Sequence, residues 1–140
     1  MKIAIGIPAR FESPRFPGKP LAILAGKPMI AHVIERAQAA HVGGVYVASD
    51  HDGIAAVARE YGAIVAMTNP EHNSGSERLA EAMREIDCDV VINVQGDEPL
   101  IDPEAIRAVV EPFRHDHTLS MATLAHPIQS DEDFNDPNVV

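Results

Sequence analysis

The sequence contains no tryptophan, and aromatic residues make up only 4% of its 140 residues. This is too few for the stacked aromatic side chains with which proteins hold single-stranded nucleic acid. Cysteine occurs once, at Cys88, which excludes an internal disulfide and fits a reducing cytoplasm. No apolar run approaches the roughly 18 residues of a membrane-spanning helix, and the N-terminal segment has no small-residue cleavage site. We therefore expect a cytoplasmic protein with no membrane span and no signal peptide.

What remains is the composition of a globular protein, with 46% hydrophobic and 23% charged residues. The length predicts a single domain over residues 1–140. The net charge of −10 argues against nucleic acid as a partner. The positive charge is concentrated at the start, because residues 1–36 contain six Lys or Arg and two Glu. This distribution favours a small anion bound near the N-terminus, although charge alone leaves chance open.

Apolar runs alternate with amphipathic segments along the chain. The predicted strands are Lys2–Pro8, Val45–Ser49, Ala63–Met67, Asp89–Gln95 and Leu119–Ala125, and the predicted helices are Pro28–Ala40, His51–Tyr61, Ser74–Ile86 and Asp102–Phe113. We expect Asp50 to cap the second helix. Alternating strands and helices predict an α/β fold, a three-layer sandwich with a mostly parallel sheet of Rossmann-like type. In such sheets, ligands bind beyond the carboxyl ends of the strands.

The loop that follows the first predicted strand, Pro8–Pro20, combines positive charge with four prolines. It matches neither the phosphate-binding P-loop motif nor the glycine-rich dinucleotide motif. Arg10 and Arg15 can bind phosphate through two parallel hydrogen bonds, and Lys19 can supply a point charge. Proline reduces the entropy that is lost when a loop becomes ordered. We predict an anion site here; the alternative is a basic surface loop.

A second candidate is the turn after the fourth predicted strand, Gln95–Pro99. A carboxylate at this position can hold Mg²⁺, which prefers oxygen ligands and usually bridges substrate phosphates. Asp97 and Glu98 are adjacent, so we expect their side chains to diverge. We assign Asp97 to the metal and Glu98 to the shape of the turn; the alternative is an acidic turn without a ligand.

The third candidate is the segment His72–Arg78. Ser74 and Glu77 form a capping box that begins a helix. Arg78 then lies in the first helical turn, where the helix dipole disfavours a cation. Its presence there indicates a functional role, such as binding a base or a carboxylate; the alternative is a solvated arginine. We interpret His115 and His117 as surface residues, and Cys88 as a small core residue.

Four motifs in matching order and spacing resemble one family. They are IPARFESPRFPGKPL at 7–21, GKPMIAHVIERA at 26–37, HNSGSERLAEA at 72–82 and NVQGDEPLI at 93–101. Over its whole length the chain resembles the 3-deoxy-D-manno-octulosonate (Kdo) cytidylyltransferases, or CMP-Kdo synthetases. Acylneuraminate cytidylyltransferases are similar, but they usually have a glycine- and lysine-rich first loop and lack the QGDEP turn.

The resemblance implies a nucleotide-diphospho-sugar transferase fold and a Mg²⁺-dependent nucleotidyltransferase. The anomeric hydroxyl of Kdo attacks the α-phosphorus of CTP, which forms CMP-Kdo for lipopolysaccharide biosynthesis and releases pyrophosphate. The residues that it implies at the triphosphate are Arg10, Ser13, Arg15 and Lys19. Those implied at the cytidine are Ser76, where the family commonly has Thr, and Arg78, with Gln95 at the nucleotide and sugar. Asp97 binds magnesium, and the residues implied in catalysis are Arg10, Lys19 and Asp97.

Members of this family are longer than 140 residues. The resemblance therefore implies the N-terminal portion of an enzyme that continues through a strand beginning near 138–140. The sugar pocket, a second metal-binding aspartate and most of a homodimer interface belong to the later portion, so we expect no useful synthesis of CMP-Kdo by this chain alone. Two alternatives stay open: a non-catalytic CTP-binding module, and an enzyme for another acidic sugar, such as an acylneuraminate or 8-amino-Kdo. A receiver-like signalling domain is disfavoured, because receivers carry an acidic cluster where this chain has Pro8-Ala9-Arg10.

Overall fold

The alternation of apolar and amphipathic segments produces alternating strands and helices in the computed structural model, which describes residues 1–136. The strands are β1 (Ile3–Pro8), β2 (Ile23–Leu24), β3 (Lys27–Pro28), β4 (Gly44–Ser49), β5 (Ile64–Met67) and β6 (Val90–Asn93). The α-helices are α1 (Met29–Ala39), α2 (Asp52–Glu60), α3 (Gly75–Ala82), α4 (Pro103–His115) and α5 (Asp131–Asn135), and Lys19–Leu21 form a 3₁₀ turn. No helix within residues 1–136 is long and apolar enough to cross a membrane.

Four strands form a parallel sheet in the order β5-β4-β1-β6, while β2 and β3 form a short antiparallel hairpin. From β1 the chain proceeds outward through β4 and β5. It then returns to β6 on the other side of β1. The strand order thus reverses between β1 and β6, which is where α/β sheets bind ligands. The predicted fold class is confirmed.

The central strand β1 is buried on both faces. Ile5 and Ile7 are fully buried on one face. The core on that face also contains apolar side chains from three helices: Ile30, Val33 and Ile34 of α1, Ile54 of α2 and Ile106 of α4. Gly6 points to the other face, where a Cβ would lie only 2.2 Å from a methyl group of Leu79 in α3. Glycine at this position therefore lets α3 pack directly on the sheet.

The predicted fifth strand, Leu119–Ala125, is wrong, because the segment has no regular structure. A groove of about 820 Å³ separates it from the edge of β6. Without a neighbouring strand at hydrogen-bonding distance, the apolar pattern cannot form a ladder. Leu119, Met121 and Leu124 are consequently exposed.

Some helix caps and boundaries also differ from the prediction; for example, α4 ends at His115 rather than Phe113. The residue that caps α2 is His51, whose Nδ1 accepts a hydrogen bond from the Gly53 N–H at 3.1 Å, so the assignment of the cap to Asp50 is wrong. Helix α3 ends at Ala82 rather than Ile86, because i to i+3 hydrogen bonds replace the α-helical pattern after it. The strand expected near 138–140 lies outside the described residues.

Candidate functional site

A cleft of about 480 Å³ lies beyond the carboxyl ends of β1 and β6. Three segments line it: the loop after β1, the turn after β6 and the N-terminal turn of α3. The predicted site residues that the structure brings together here are Arg10, Ser13, Arg15, Lys19, Arg78, Gln95 and Asp97. Ser76 does not line the cleft and is exposed on α3. Apart from Ser76, the predicted site residues are therefore neighbours in space.

The loop after β1 is folded back on itself rather than extended. The Gly18 N–H donates to the Phe11 carbonyl oxygen at 2.7 Å, and Gly18 has a φ of 72°, in the left-handed region that favours glycine. The 3₁₀ turn that follows begins at Lys19 and has Pro20 in its first turn. This turn directs Lys19 toward β6 and keeps the basic side chains of the loop at the cleft.

Lys19 and Asp97 join the two strands at the reversal point. The Lys19 Nζ donates to Asp97 Oδ2 at 2.7 Å, although the two residues are 78 positions apart. Both side chains are partly exposed, with 38% and 54% of their surface accessible. The loop after β1 therefore faces the turn after β6. Because the pair is open to solvent, an entering ligand can reach both charges.

The two adjacent carboxylates of this turn diverge, as expected. Asp97 lines the cleft, whereas Glu98 lines the groove beside β6. The Glu98 N–H donates to the Gln95 carbonyl oxygen at 3.2 Å, so its backbone shapes the turn. Within residues 1–136, no three side chains of His, Cys, Asp or Glu come together as a metal cluster.

Arg78 is buried, with only 2% of its surface exposed, so the alternative of a solvated arginine is wrong. Its guanidinium donates to Asp50 Oδ2 at 2.9 Å and to Thr68 Oγ1 at 2.6 Å. Asp50 follows β4 and Thr68 follows β5, so this cluster joins two strand ends to α3. The other oxygen of Asp50, Oδ1, is buried without a partner. The cluster fixes the Arg78 side chain in the wall of the cleft.

The N-terminus of α3 is held by a variant of the predicted capping box. Ser74 Oγ accepts from the Glu77 N–H at 3.1 Å. The Glu77 carboxylate accepts from the N–H of Asn73 at 3.0 Å, one residue earlier than the usual capping box requires. This arrangement satisfies helix-terminal donors and places Ser74 and Gly75 at the cleft.

The loop before α3 is tied to the helix by Glu81. Its carboxylate accepts from the ring of His72 and from the Asn69 N–H, and these hydrogen bonds, the one from His72 foremost, lower the pKa of Glu81. His72 in turn lines the cleft.

Sequence reasoning assigned no individual role in the site to four residues at or behind the cleft. His72, which belongs to the candidate segment His72–Arg78, and Phe16 line the cleft, and Asp50 and Thr68 support Arg78 from behind. One signal could have identified the last two, because both follow strands at the edge where the other candidates meet. Asp50 was predicted to cap α2 instead, because an aspartate just before a helix is a common cap.

The remaining candidates lie away from the cleft. His115 and His117 are exposed on the surface, as expected. Cys88 is half-buried rather than a full core residue, and its pKa is raised by burial and by the neighbouring Asp87 and Asp89. It therefore has no feature of an activated nucleophile.

Comparisons with known proteins agree with this geometry. The chain is 50% identical over its whole length to a 3-deoxy-manno-octulosonate cytidylyltransferase of Syntrophotalea carbinolica, of which it covers 56%. Identity to the enzyme of the same name from Idiomarina loihiensis is 49%, again with 56% of that protein covered. A solved structure of a CMP:2-keto-3-deoxy-manno-octonic acid synthetase complexed with CTP superposes with a TM-score of 0.81 and 43% identity.

The match to this CTP-bound structure covers 85% of this chain and 50% of the solved one. The chain thus spans about half the length of the curated relatives it matches. The sequence profile of one family, described as cytidylyltransferase, matches residues 3–140. Because this match includes nearly every residue, the chain belongs to the cytidylyltransferase family.

Proposed function

We propose that the chain is the CTP-binding portion of a 3-deoxy-manno-octulosonate cytidylyltransferase. Such an enzyme transfers CMP from CTP to Kdo, releases pyrophosphate and supplies an activated sugar for lipopolysaccharide biosynthesis. The observation that carries the proposal is the convergence of Arg10, Arg15 and Lys19 with Asp97 in one cleft beyond β1 and β6. The identity of about 50% to enzymes of this name supports it.

The basic loop binds the triphosphate. Arg10 and Arg15 are exposed at the cleft, where their guanidinium groups can donate paired hydrogen bonds to phosphate oxygens. Lys19 exchanges its contact with Asp97 for a phosphate oxygen. In phosphoryl and nucleotidyl transfer, positioning and charge neutralisation supply most of the catalysis. These three cations therefore hold the α-phosphate in place and stabilise the charge that develops on it.

Asp97 is the residue proposed to hold Mg²⁺. The donor set fits this ion, because Mg²⁺ is usually held by one or two carboxylates together with substrate phosphates and water rather than by a cage of protein ligands. Asp97 provides one exposed carboxylate beside the cations that bind phosphate. When bound, the ion neutralises phosphate charge and polarises the reacting phosphoryl group.

The cytidine is proposed to bind at Arg78 and Gln95, which line the same cleft. Burial and its two internal partners fix the Arg78 side chain, which suits recognition of a base by hydrogen bonds. Ser76 is assigned to the cytidine from the family resemblance alone. The same resemblance supports a cytoplasmic enzyme that, in its longer form, is a homodimer.

Calorimetry with CTP, UTP, ATP and GTP in the presence of Mg²⁺ tests the proposal. We expect CTP to bind about 5- to 150-fold more tightly, because a mismatched base leaves buried polar groups without a partner. Equal affinities for the four nucleotides would contradict recognition of cytidine. Pyrophosphate release by a longer form, with Kdo, an acylneuraminate and 8-amino-Kdo as acceptors, distinguishes the Kdo enzyme from an enzyme for another sugar and from a non-catalytic module.

A further inference from the structure

We propose that Phe11 and His51 are positioning residues for the triphosphate-binding loop. Their rings are stacked, with centroids 4.1 Å apart and planes inclined by 11°. This inference rests on the proposed function, because the loop is assigned to the triphosphate there. Neither residue lines the cleft itself; both line an adjacent groove that shares Arg10, Ser13 and Arg78 with it, and the role proposed for them is to hold the loop.

The stack lies at the point where the loop closes. The hydrogen bond from the Gly18 N–H to the Phe11 carbonyl joins the two ends of the loop at 2.7 Å. Arg10 directly precedes this bond and Lys19 directly follows it. The closing bond therefore determines how far apart these two cations are, and Arg15 lies within the segment that it encloses.

The Phe11 ring has two close neighbours. One is the imidazole of His51, on which it stacks. The second is Gly18, where a Cβ would lie 3.1 Å from Phe11 Cε2. A larger residue at Gly18 would thus press against the ring as well as strain the backbone at a φ of 72°.

His51 is itself fixed by the helix that follows. Its Nδ1 accepts from the Gly53 N–H at 3.1 Å and so caps α2, which determines the orientation of the ring. The loop is therefore attached to a rigid element on the core side of the sheet. A loop that is ordered before the ligand arrives loses less entropy when the ligand binds, so the stack should strengthen triphosphate binding without touching it.

Two variants each remove one ring of the stack. Phe11→Leu keeps an apolar side chain but removes the ring, and His51→Asn removes the ring but keeps an oxygen that can cap α2. We expect each to weaken CTP binding roughly three- to tenfold by calorimetry, in line with the strength of aromatic pairs. Binding of cytidine, followed by NMR titration, should be unchanged. Phe11→Tyr should restore parental affinity, and Phe113→Leu, the same change away from the cleft, should have no effect.

Combining Phe11→Leu with Arg15→Ala separates positioning from a general structural role. If Phe11 acts by placing the loop, the double variant should lose less CTP affinity than the sum of the losses in the two single variants. Additive losses, or parental CTP affinity in both single variants, would overturn the inference. Parental protein that binds no CTP would overturn the proposed function instead, so the two failures are distinguishable.

Discussion

The contact between Lys19 and Asp97 depends on the order of the strands in the sheet. They are separated by 78 positions, yet they form an ion pair at 2.7 Å because β1 and β6 are neighbours. Both side chains are partly exposed, and ion pairs of this kind contribute little to stability. In the proposed function the pair matters because its cation and its carboxylate face the same small volume, where a metal-bound triphosphate would need both.

Replacing Lys19 with Met should weaken CTP binding about 10- to 150-fold, because a charge-assisted hydrogen bond to phosphate is worth about 1.5–3 kcal/mol. Binding of cytidine should change little. Lys2→Met is the matched control, since Lys2 is exposed and pairs with Asp87 far from the cleft. Calorimetry measures both; parental CTP affinity in Lys19→Met would mean that the loop is only a basic surface.

Asp97→Asn should remove most of the dependence of CTP binding on Mg²⁺, because the amide keeps the shape of the side chain but not its charge. Titrations of CTP with and without Mg²⁺ give this dependence directly. Asp87→Asn, at an exposed carboxylate outside the cleft, should leave it intact. If Asp97→Asn retains the full dependence, the metal role passes to another carboxylate, with Glu98 as the first to test.

Among the elements, α3 connects several separate parts of the site. Its Arg78 reaches the ends of β4 and β5 through Asp50 and Thr68. Its Leu79 packs on Gly6 of β1, and its N-terminus lines the cleft. Loss of the buried Arg78 cluster should therefore affect the stability of the fold as well as the site.

Asp50→Ala should lower the free energy of unfolding by about 3–5 kcal/mol, because it leaves the guanidinium of Arg78 buried without its charged partner. Urea denaturation measures the difference. Asp52→Ala, two residues later on the exposed first turn of α2, should cost about 1 kcal/mol or less. Similar losses in the two variants would show that the buried pair contributes nothing beyond an ordinary surface charge.

The contact of Glu81 with His72 and Asn69 should make the loop before α3 sensitive to acid. The folded pKa of Glu81 lies below its ordinary value of 4.5, so near and below that pH the unfolded chain binds more protons than the folded one. The stability that Glu81 contributes is thus present above about pH 4.5 and is lost as the pH falls through the folded pKa. The melting temperature of Glu81→Gln should fall below that of the parent at pH 7 and approach it at pH 3.

Glu85→Gln provides the control for this experiment, since Glu85 is exposed on the same part of the chain. A difference between Glu81→Gln and the parent that is the same at both pH values would contradict the assignment.

The elements also show how far sequence reasoning reaches. The strands β1, β4, β5 and β6 and the helices α1 to α4 follow local apolar patterns, so their existence could be predicted. The convergence of the loop after β1 with Asp97 followed from the rule that parallel strands share a carboxyl edge. The partnership of Asp50 with Arg78 could not be predicted, because it depends on a contact between distant segments. Leu119–Ala125 was predicted as a strand because its pattern fits one, but a pattern does not supply a neighbouring strand.

For the molecule as a whole, the groove of about 820 Å³ between β6 and residues 119–124 is an unpacked region with an apolar lining. Val91 of β6 is exposed beside it, and so are Leu119, Met121 and Leu124. The groove lies next to an edge strand whose backbone can still form hydrogen bonds. Exposed apolar surface of this kind favours association or a partner.

The 140-residue chain should bind CTP but release no pyrophosphate from CTP, Kdo and Mg²⁺ at a rate comparable with that of a full-length relative. The cleft contains the groups proposed for the nucleotide and one proposed metal ligand, whereas the relatives are nearly twice as long. Holding an attacking hydroxyl at the phosphorus is worth about 7–11 kcal/mol, which is lost without a sugar pocket. A pyrophosphate assay on both proteins decides this, and equal rates would place the sugar site within these residues.

The central position of β1 has a consequence for how the protein is made. β1 leaves the ribosome first, but Ile3 pairs with Val90, so one of its two neighbours is synthesised much later. Until β6 is made, the packing around Ile5 and Ile7 is incomplete. The pairing of β1 with β6 is then slow, because the long chain between the two strands must close into a loop. The cleft forms between the ends of these same two strands, so a nascent chain released before β6 would have the basic loop after β1 but no cleft. Nucleotide binding would therefore require that β6 has paired with β1. Added CTP should stabilise the chains in which this pairing has formed.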